Sequence, residues 1–286
     1  MLQNPRKKPI TPNSVCDLTR IQQKPFWGFI QNPFRTRPRE FTLCDNNLLV
    51  KSRRNHKVHL GDLKQSPTVR KGFLGFTVTI MADNGAEHIL KGAKGDQAVS
   101  FSNMVKKQWV KFNTDKFEGE RQSVDDLLNF ISNLQDPKEY PAACSLSPSL
   151  EKAKKLDISL LSKLTRGAIS KEAKQQISTI QNFIKNFQSI RTQAISTFEQ
   201  KQLRHWKEFF ETFESNPLTP EQKTSIITDE NATLVLAGAG SGKTSVITAK
   251  AGYLLRSRAR KPEEILLLAF AKDAAKEMSE RIEEKC

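Results

Sequence analysis

Thr233-Leu-Val-Leu-Ala-Gly-Ala-Gly-Ser-Gly-Lys-Thr244 is the stretch on which the reading of this chain turns. Thr233–Ala237 is a short apolar, β-branched run that predicts a buried strand. It feeds a glycine-rich loop, and Ser245 to about Arg258 has the pattern of a helix. Strand, loop and helix in that order are the setting of a phosphate-binding loop. Gly238, Gly240 and Gly242 let the backbone curl so that successive N–H groups point inward at phosphate oxygens. The helix start near Lys243 adds its positive dipole end. Lys243 is placed to reach β- and γ-phosphates, and the Thr244 hydroxyl to coordinate Mg²⁺. Ala237 stands where the motif has its first glycine. A second apolar run, Ile265-Leu-Leu-Leu-Ala-Phe270, predicts the next parallel strand.

Upstream, the charge is uneven. Residues 1–115 carry 20 Lys and Arg against 8 Asp and Glu, whereas residues 116–286 carry 26 against 23. Clusters at Arg6-Lys7-Lys8, Arg35/Arg37/Arg39, Lys51/Arg53/Arg54/Lys57 and Arg70-Lys71 suit a phosphate backbone; a basic surface kept for solubility is the alternative. Residues 1–24 are polar and proline-punctuated, a tail. Residues 25–115 read as a small basic α+β domain. Phe41-Thr-Leu43 and Leu48-Leu-Val50 flank an Asp45-Asn46-Asn47 turn, and Phe76–Ile80 alternates with period two. Asp83-Asn84-Gly85 then predicts a hairpin with positive φ at both Asn84 and Gly85. Asp96 is a candidate N-cap for a helix with Ala98, Phe101, Val105, Trp109 and Phe112 on one face. Hairpins closed by one amphipathic helix resemble a pleckstrin-homology-like fold.

Residues 116–215 read as a helical connecting region. Val124, Leu127, Leu128 and Ile131 form one stripe, ended by Asp136-Pro137; Pro141 and Ser145–Pro148 predict a linker. Ile177, Ile180, Phe183, Phe187, Ile190, Ala194 and Phe198 form another stripe, continued by Leu203, Trp206, Phe209, Phe210 and Phe213. Such stripes serve a core or a coiled-coil dimer. Cys16, Cys44, Cys144 and Cys286 are scattered without metal-ligand spacing, and His56 and His59 on a strand face opposite sides. The sequence has no apolar run long enough to span a bilayer and no apolar leader at its start, so a cytoplasmic protein is expected.

Residues 216–286 resemble the beginning of the motor of superfamily-1 UvrD/Rep-type DNA helicases, closest to the DNA helicase IV branch. Asn216-Pro-Leu-Thr-Pro-Glu-Gln222 is similar to the family's Q motif, so the resemblance implies that Gln222 reads adenine. Ala237-Gly238-Ala239-Gly240-Ser241-Gly242-Lys243-Thr244 is similar to the family's loop, where alanine at the first place is usual. The run from Ile265 to Arg281 resembles motif Ia, implying single-stranded DNA contacts at Phe270, by base stacking, and at Lys272. This chain has Ala269-Phe270-Ala271-Lys272 where many relatives have Thr-Phe-Thr-Asn, and Ser245 where many have Arg. Both departures, the extension of roughly 200 residues before the motor and the run Trp206-Lys-Glu-Phe-Phe210 are similar to helicase IV.

The resemblance implies a RecA-like P-loop domain, ATP and Mg²⁺ as cofactors, single-stranded or partly duplex DNA as partner, and 3′→5′ translocation. A partner protein for the N-terminal domain is a further expectation, a membrane is not. The later motifs, the acidic pair that orders Mg²⁺ and the arginines that compensate the γ-phosphate, do not occur before Cys286. The chain by itself is therefore expected to be catalytically inactive, because phosphoryl transfer rests on that charge compensation. The alternative is a truncated ATP- and DNA-binding or regulatory module without turnover. Without further strands, Leu234, Leu236, Leu266 and Leu268 are expected to stay partly exposed.

Overall fold

The computed structural model describes residues 19–24, 37–73, 75–164, 167–238 and 240–285. Most of the expected tail and the clusters at residues 6–8 and Arg35 lie outside them, as do Cys16, Cys286 and Ala239. The chain folds as two compact units. One comprises the described residues as far as Val124 together with Leu156–Ser178; the other comprises Asp125–Lys155 and the residues from Thr179 onward. Helices α2 (Arg121–Asn133) and α4 (Lys171–Lys185) each run from one unit into the other.

The first unit is built from two antiparallel sheets. Strands β1 (Arg20–Gln22), β2 (Glu40–Cys44), β3 (Asn47–Lys51) and β4 (His56–His59) form one, in sequence order. Strands β5 (Thr68–Gly72), β6 (Gly75–Met81) and β7 (Glu87–Ala93) form the other. Alternation sets which side chains go inward: Phe41, Leu43, Leu48, Val50, Val58, Val78, Ile80 and Leu90 are all buried in one core. Helix α1 (Gly95–Gly119) covers that core with Ala98, Phe101, Val105 and Trp109, and the Phe41 and Phe101 rings lie 6.3 Å apart. A bridge between Leu63 and Ala82, with Lys64 N–H to Met81 O at 3.0 Å, ties the sheets together.

Both expected hairpins form, with different turns. Asn47 is already the first residue of β3, so the β2–β3 turn is the pair Asp45-Asn46, with Asp45 at φ 51°. In the β6–β7 turn only Gly85 has positive φ, 82°. Gly85 N–H donates to Ala82 O (3.1 Å) and Ala82 N–H to Ala86 O (2.9 Å), a turn one residue longer than a two-residue hairpin. A three-residue turn puts only its last residue in the left-handed region, so Asn84 stays out of it, and its side-chain oxygen accepts from Ala86 N–H at 3.0 Å. The N-cap of α1 is Lys94, not Asp96, which sits in the first turn and complements the helix dipole there.

In the second unit the proposed linker is helical. Helix α3 (Ala143–Leu156) contains Pro148, and Leu146, Ala153 and Leu156 are buried at helical spacing. Burial of that face outweighs the one hydrogen bond that Pro148 cannot donate. The long apolar stripe becomes α4, α5 (Phe187–His205) and α6 (Lys207–Thr212), interrupted at Asn186 and Trp206, whose ψ values are near 20°. Three further helices follow: α7 (Pro220–Ile227), α8 (Lys243–Arg256) and α9 (Lys272–Lys285).

The two strands expected at 233–237 and 265–270 are absent. Neither segment has a neighbouring strand to pair its backbone groups, so neither forms a ladder. Leu234, Leu236, Leu266 and Leu268 are exposed, each by about four-fifths (82%, 86%, 79% and 81%). Ile265 and Leu267 alternate with the exposed leucines and line a groove with Ala251, Leu255 and Met278, so one face of that segment rests on helices α8 and α9.

Candidate nucleotide-binding site

The site begins with helix α7. Thr219 caps it: the hydroxyl accepts from Gln222 N–H at 3.3 Å, while Gln222 Oε1 accepts from Thr219 N–H at 2.9 Å. Pro220 opens the helix where no donor is needed. This Thr-Pro-Glu-Gln capping box is legible in the sequence, and reading Gln222 only as a base-contacting residue misses it. The other end of the Gln222 amide donates from Nε2 to Ser241 O at 3.1 Å, so one side chain joins the helix start to the glycine-rich loop. Glu221 in the same turn is held below the usual carboxylate range by its own backbone N–H and by the Thr219 hydroxyl.

The loop itself is shaped by two glycines in the left-handed region, Gly240 at φ 74° and Gly242 at φ 81°. A β-carbon at Gly242 would lie 2.8 Å from Gln222 Nε2, whereas at Gly238 and Gly240 it would meet no heavy atom within 4 Å. The space that a side chain at Gly238 or Gly240 would take is thus empty. Gly242 is the N-cap of α8, and Val246 N–H to Gly242 O (3.0 Å) is the first bond of the helical ladder. The amides of Lys243, Thr244 and Ser245 precede that bond and point out of the helix end. Lys243 Nζ folds onto the loop, donating to Ala237 O at 3.2 Å and Gly238 O at 2.6 Å. The Ser241 hydroxyl also donates to Gly238 O, at 2.7 Å. Ala237, Gly238, Ser241, Lys243 and Thr244 are exposed, and Ser245 is half-buried. An exposed ammonium, outward amides and an open glycine concavity fit a polyphosphate, and the Thr244 hydroxyl fits a hard cation such as Mg²⁺.

Packing behind the loop holds α8 in place. Phe198, Phe209, Phe210, Phe213, Leu218, Ile226 and Ile227 share a core with Val246, Ala249 and Tyr253. Phe210 stacks with Tyr253 at 6.3 Å, and Tyr253 OH donates to Gln202 Oε1 at 3.0 Å. Burial, then the nearby Asp229 charge, pushes the Tyr253 hydroxyl up to about 12, so it stays a neutral donor. Lys250 Nζ donates to Ile226 O (3.4 Å) and to Thr228 O, closing the C-terminal end of α7; burial lowers its pKa. Glu230 accepts from Tyr140 OH (3.2 Å), Ala143 N–H (3.2 Å) and Arg191, anchoring the chain just before Thr233. Thr248, fully buried on the inner face of α8, donates within reach of Glu214 Oε1 (3.3 Å), and Arg281 of α9 meets the other Glu214 oxygen at 3.5 Å. Sequence spacing offered no signal for this Glu214 link, since it spans 34 and 67 residues.

Phe270 is fully exposed, at 113%, and Lys272 is exposed at the first position of α9. Among the described residues no cluster of His, Cys, Asp or Glu could hold a metal ion, and no helix is long and apolar enough to cross a membrane.

Residues 218–286 match the UvrD/REP helicase N-terminal domain family. DNA helicase IV of Escherichia coli is 47% identical over 105 residues, covering 37% of this chain and 15% of that protein. A probable DNA helicase II homolog of Rickettsia conorii is 42% identical over 65 residues, 23% of this chain and 10% of its own. The ATP-dependent DNA helicase PcrA of Staphylococcus aureus is 41% identical over 68 residues, 24% and 9% respectively. The matched stretches therefore span a small part of the curated relatives. No solved structure matches the chain. From Leu218 onward, this chain is similar to the UvrD/REP helicase N-terminal domain.

Proposed function

We propose that this chain is part of a longer ATP-dependent DNA helicase of the helicase IV type, which moves 3′→5′ along single-stranded DNA, and that its segment from residue 216 starts a RecA-like motor domain. The observation that carries the reading is the open glycine loop at the start of α8, linked through Gln222 to the capped start of α7. The amides of Gly238, Gly240 and Gly242 would wrap the phosphates, with Ala237 leading in and Ala239, outside the described residues, expected to join them. Lys243 would leave its carbonyl partners for the phosphate oxygens and supply positive charge there, and the Thr244 hydroxyl would hold Mg²⁺. Ser245 offers a hydroxyl where many relatives place an arginine. Bound MgATP supplies the phosphoanhydride whose hydrolysis drives movement.

Gln222 reads adenine by exchanging its Thr219 or Ser241 partner for the base edge, so base recognition and loop position are linked. Phe270 stacks a DNA base, and Lys272 contacts a phosphate. The basic first unit is pleckstrin-homology-like, with four strands, three strands and a covering helix supporting that reading. It holds DNA as a second contact, and the protein works in the cytoplasm.

Titrating labelled ATP with Mg²⁺ into the whole chain tests the core of this proposal. Saturable binding is expected, weakened tenfold or more (~1.4 kcal/mol or above) in Lys243→Ala. Equal binding by the variant would remove the loop from the site.

A further inference from the structure

The three-stranded sheet of the first unit ends in a hairpin tip that none of the packing explains. Gly72 pairs with Gly75 across the end of β5 and β6, and between them Phe73 projects with 101% of its surface exposed. Apolar surface left in water forgoes burial, which a ring beside a sheet can recover by packing on it. Here Phe76, three residues on, takes that role and packs against the core, leaving Phe73 free of it.

The surroundings of the tip are basic. Arg70 and Lys71 lead into it on β5, an edge strand, and both are exposed. Phe76 pairs with Ala93, which brings Lys91 and Lys94 to the same end of the sheet. Lys24 N–H donates to Gly92 O at 3.2 Å, adding a fifth cation. Asp96 lies in the first turn of α1, and Glu87 begins β7 at the opposite end of the sheet. An exposed ring at a sheet end that carries basic residues has the two components of a single-strand contact: charge that follows the phosphates, and a flat ring on which a base stacks.

We propose that the Phe73 tip, with Arg70, Lys71, Lys91 and Lys94, is a base-stacking contact for single-stranded DNA on the first unit, separate from Phe270. The choice of single strand follows from the ring: bases inside a duplex are already stacked and cannot cover it. This inference rests on the DNA-binding reading above and gives its basic unit a specific site.

Fluorescence anisotropy of a labelled oligothymidylate with the whole chain tests it, with 2-aminopurine strands reporting stacking. Phe73 touches no core residue, so Phe73→Ala keeps the wild-type circular dichroism spectrum. Its affinity is expected to fall about tenfold with the salt slope unchanged, while Phe73→Trp retains binding. The double change Arg70→Gln and Lys71→Gln is expected to flatten the salt slope by about 1.4, two phosphates at roughly 0.7 each. Wild-type affinity and quenching in Phe73→Ala, with a loss confined to Phe270→Ala, would overturn this site and leave the motor reading intact. Absence of any salt-dependent DNA binding by the unchanged chain would overturn both. Loss in Phe73→Ala on phosphatidylserine vesicles but not on DNA would reassign the tip to a membrane surface.

Discussion

Strand β6 and the run from Thr233 to Ala237 are alike in composition and opposite in outcome. Phe76-Thr-Val-Thr-Ile80 lies between β5 and β7, and Val78 and Ile80 are completely buried. Thr233-Leu-Val-Leu is also mostly apolar, yet Leu234 and Leu236 are exposed by 82% and 86%. A strand is a property of a pair: without a neighbour, backbone donors and acceptors turn to water and apolar side chains have nothing to cover them. The segment Ile265–Phe270 lies between these cases, alternating correctly but resting on helices along one face only.

The contrast is broken most strongly by removing a core ring. Phe101→Ala is expected to cost about 3–5 kcal/mol in urea unfolding of the first unit, as buried aromatic truncations do. Leu236→Ala is expected to stay within about 0.5 kcal/mol, the range of exposed substitutions. A comparable loss in the two variants would show that the 233–237 run is buried after all. Amide exchange sharpens the same point, with slow exchange expected at Val78 and Leu90 and fast exchange at Leu234 and Leu266.

A smaller effect separates capping from packing. Thr219→Ala is expected to cost about 1 kcal/mol, the usual value of a lost N-cap. It should also raise the Glu221 pKa toward its ordinary value, followed by NMR, since the Thr219 hydroxyl contributes to holding it down. An unmoved Glu221 would mean that its own backbone N–H accounts for the whole effect.

The smallest expected effect is a pH dependence in the first unit. Burial, then the charge of His56 5.4 Å away, lowers the His88 pKa below 6.5. The unfolded chain therefore takes up the proton first, so His88 adds stability above about pH 6.5 that is lost as pH falls through its lower folded value. His88→Gln should flatten the decline in urea midpoint between about pH 7.5 and pH 5.5. An identical decline in both proteins would place the titrating group elsewhere.

Much of this was legible locally. The hairpins at 45–46 and 82–86 were readable from turn residues, and α1 from its apolar spacing. The glycine loop was legible because positive φ at Gly240 and Gly242 demands that residue type. The helical nature of 143–156 was not, since proline and serine local preferences opposed a burial that only distant neighbours supply. Gln222 was legible as a motif residue, but its bond to Ser241 was not, because it joins residues 19 apart.

Sequence by itself determined the glycine-rich loop pattern, the basic bias of the first 115 residues and the similarity of the C-terminal segment to the UvrD/REP helicase N-terminal domain, because each depends on residue identity and near-neighbour spacing. Tertiary structure alone decided which apolar runs become strands, how the aromatic run around Trp206 seats the loop's helix, and that Phe73 stands clear of the core. Those outcomes depend on which surfaces meet across long separations, and burial and pairing are set there rather than in any single stretch of chain.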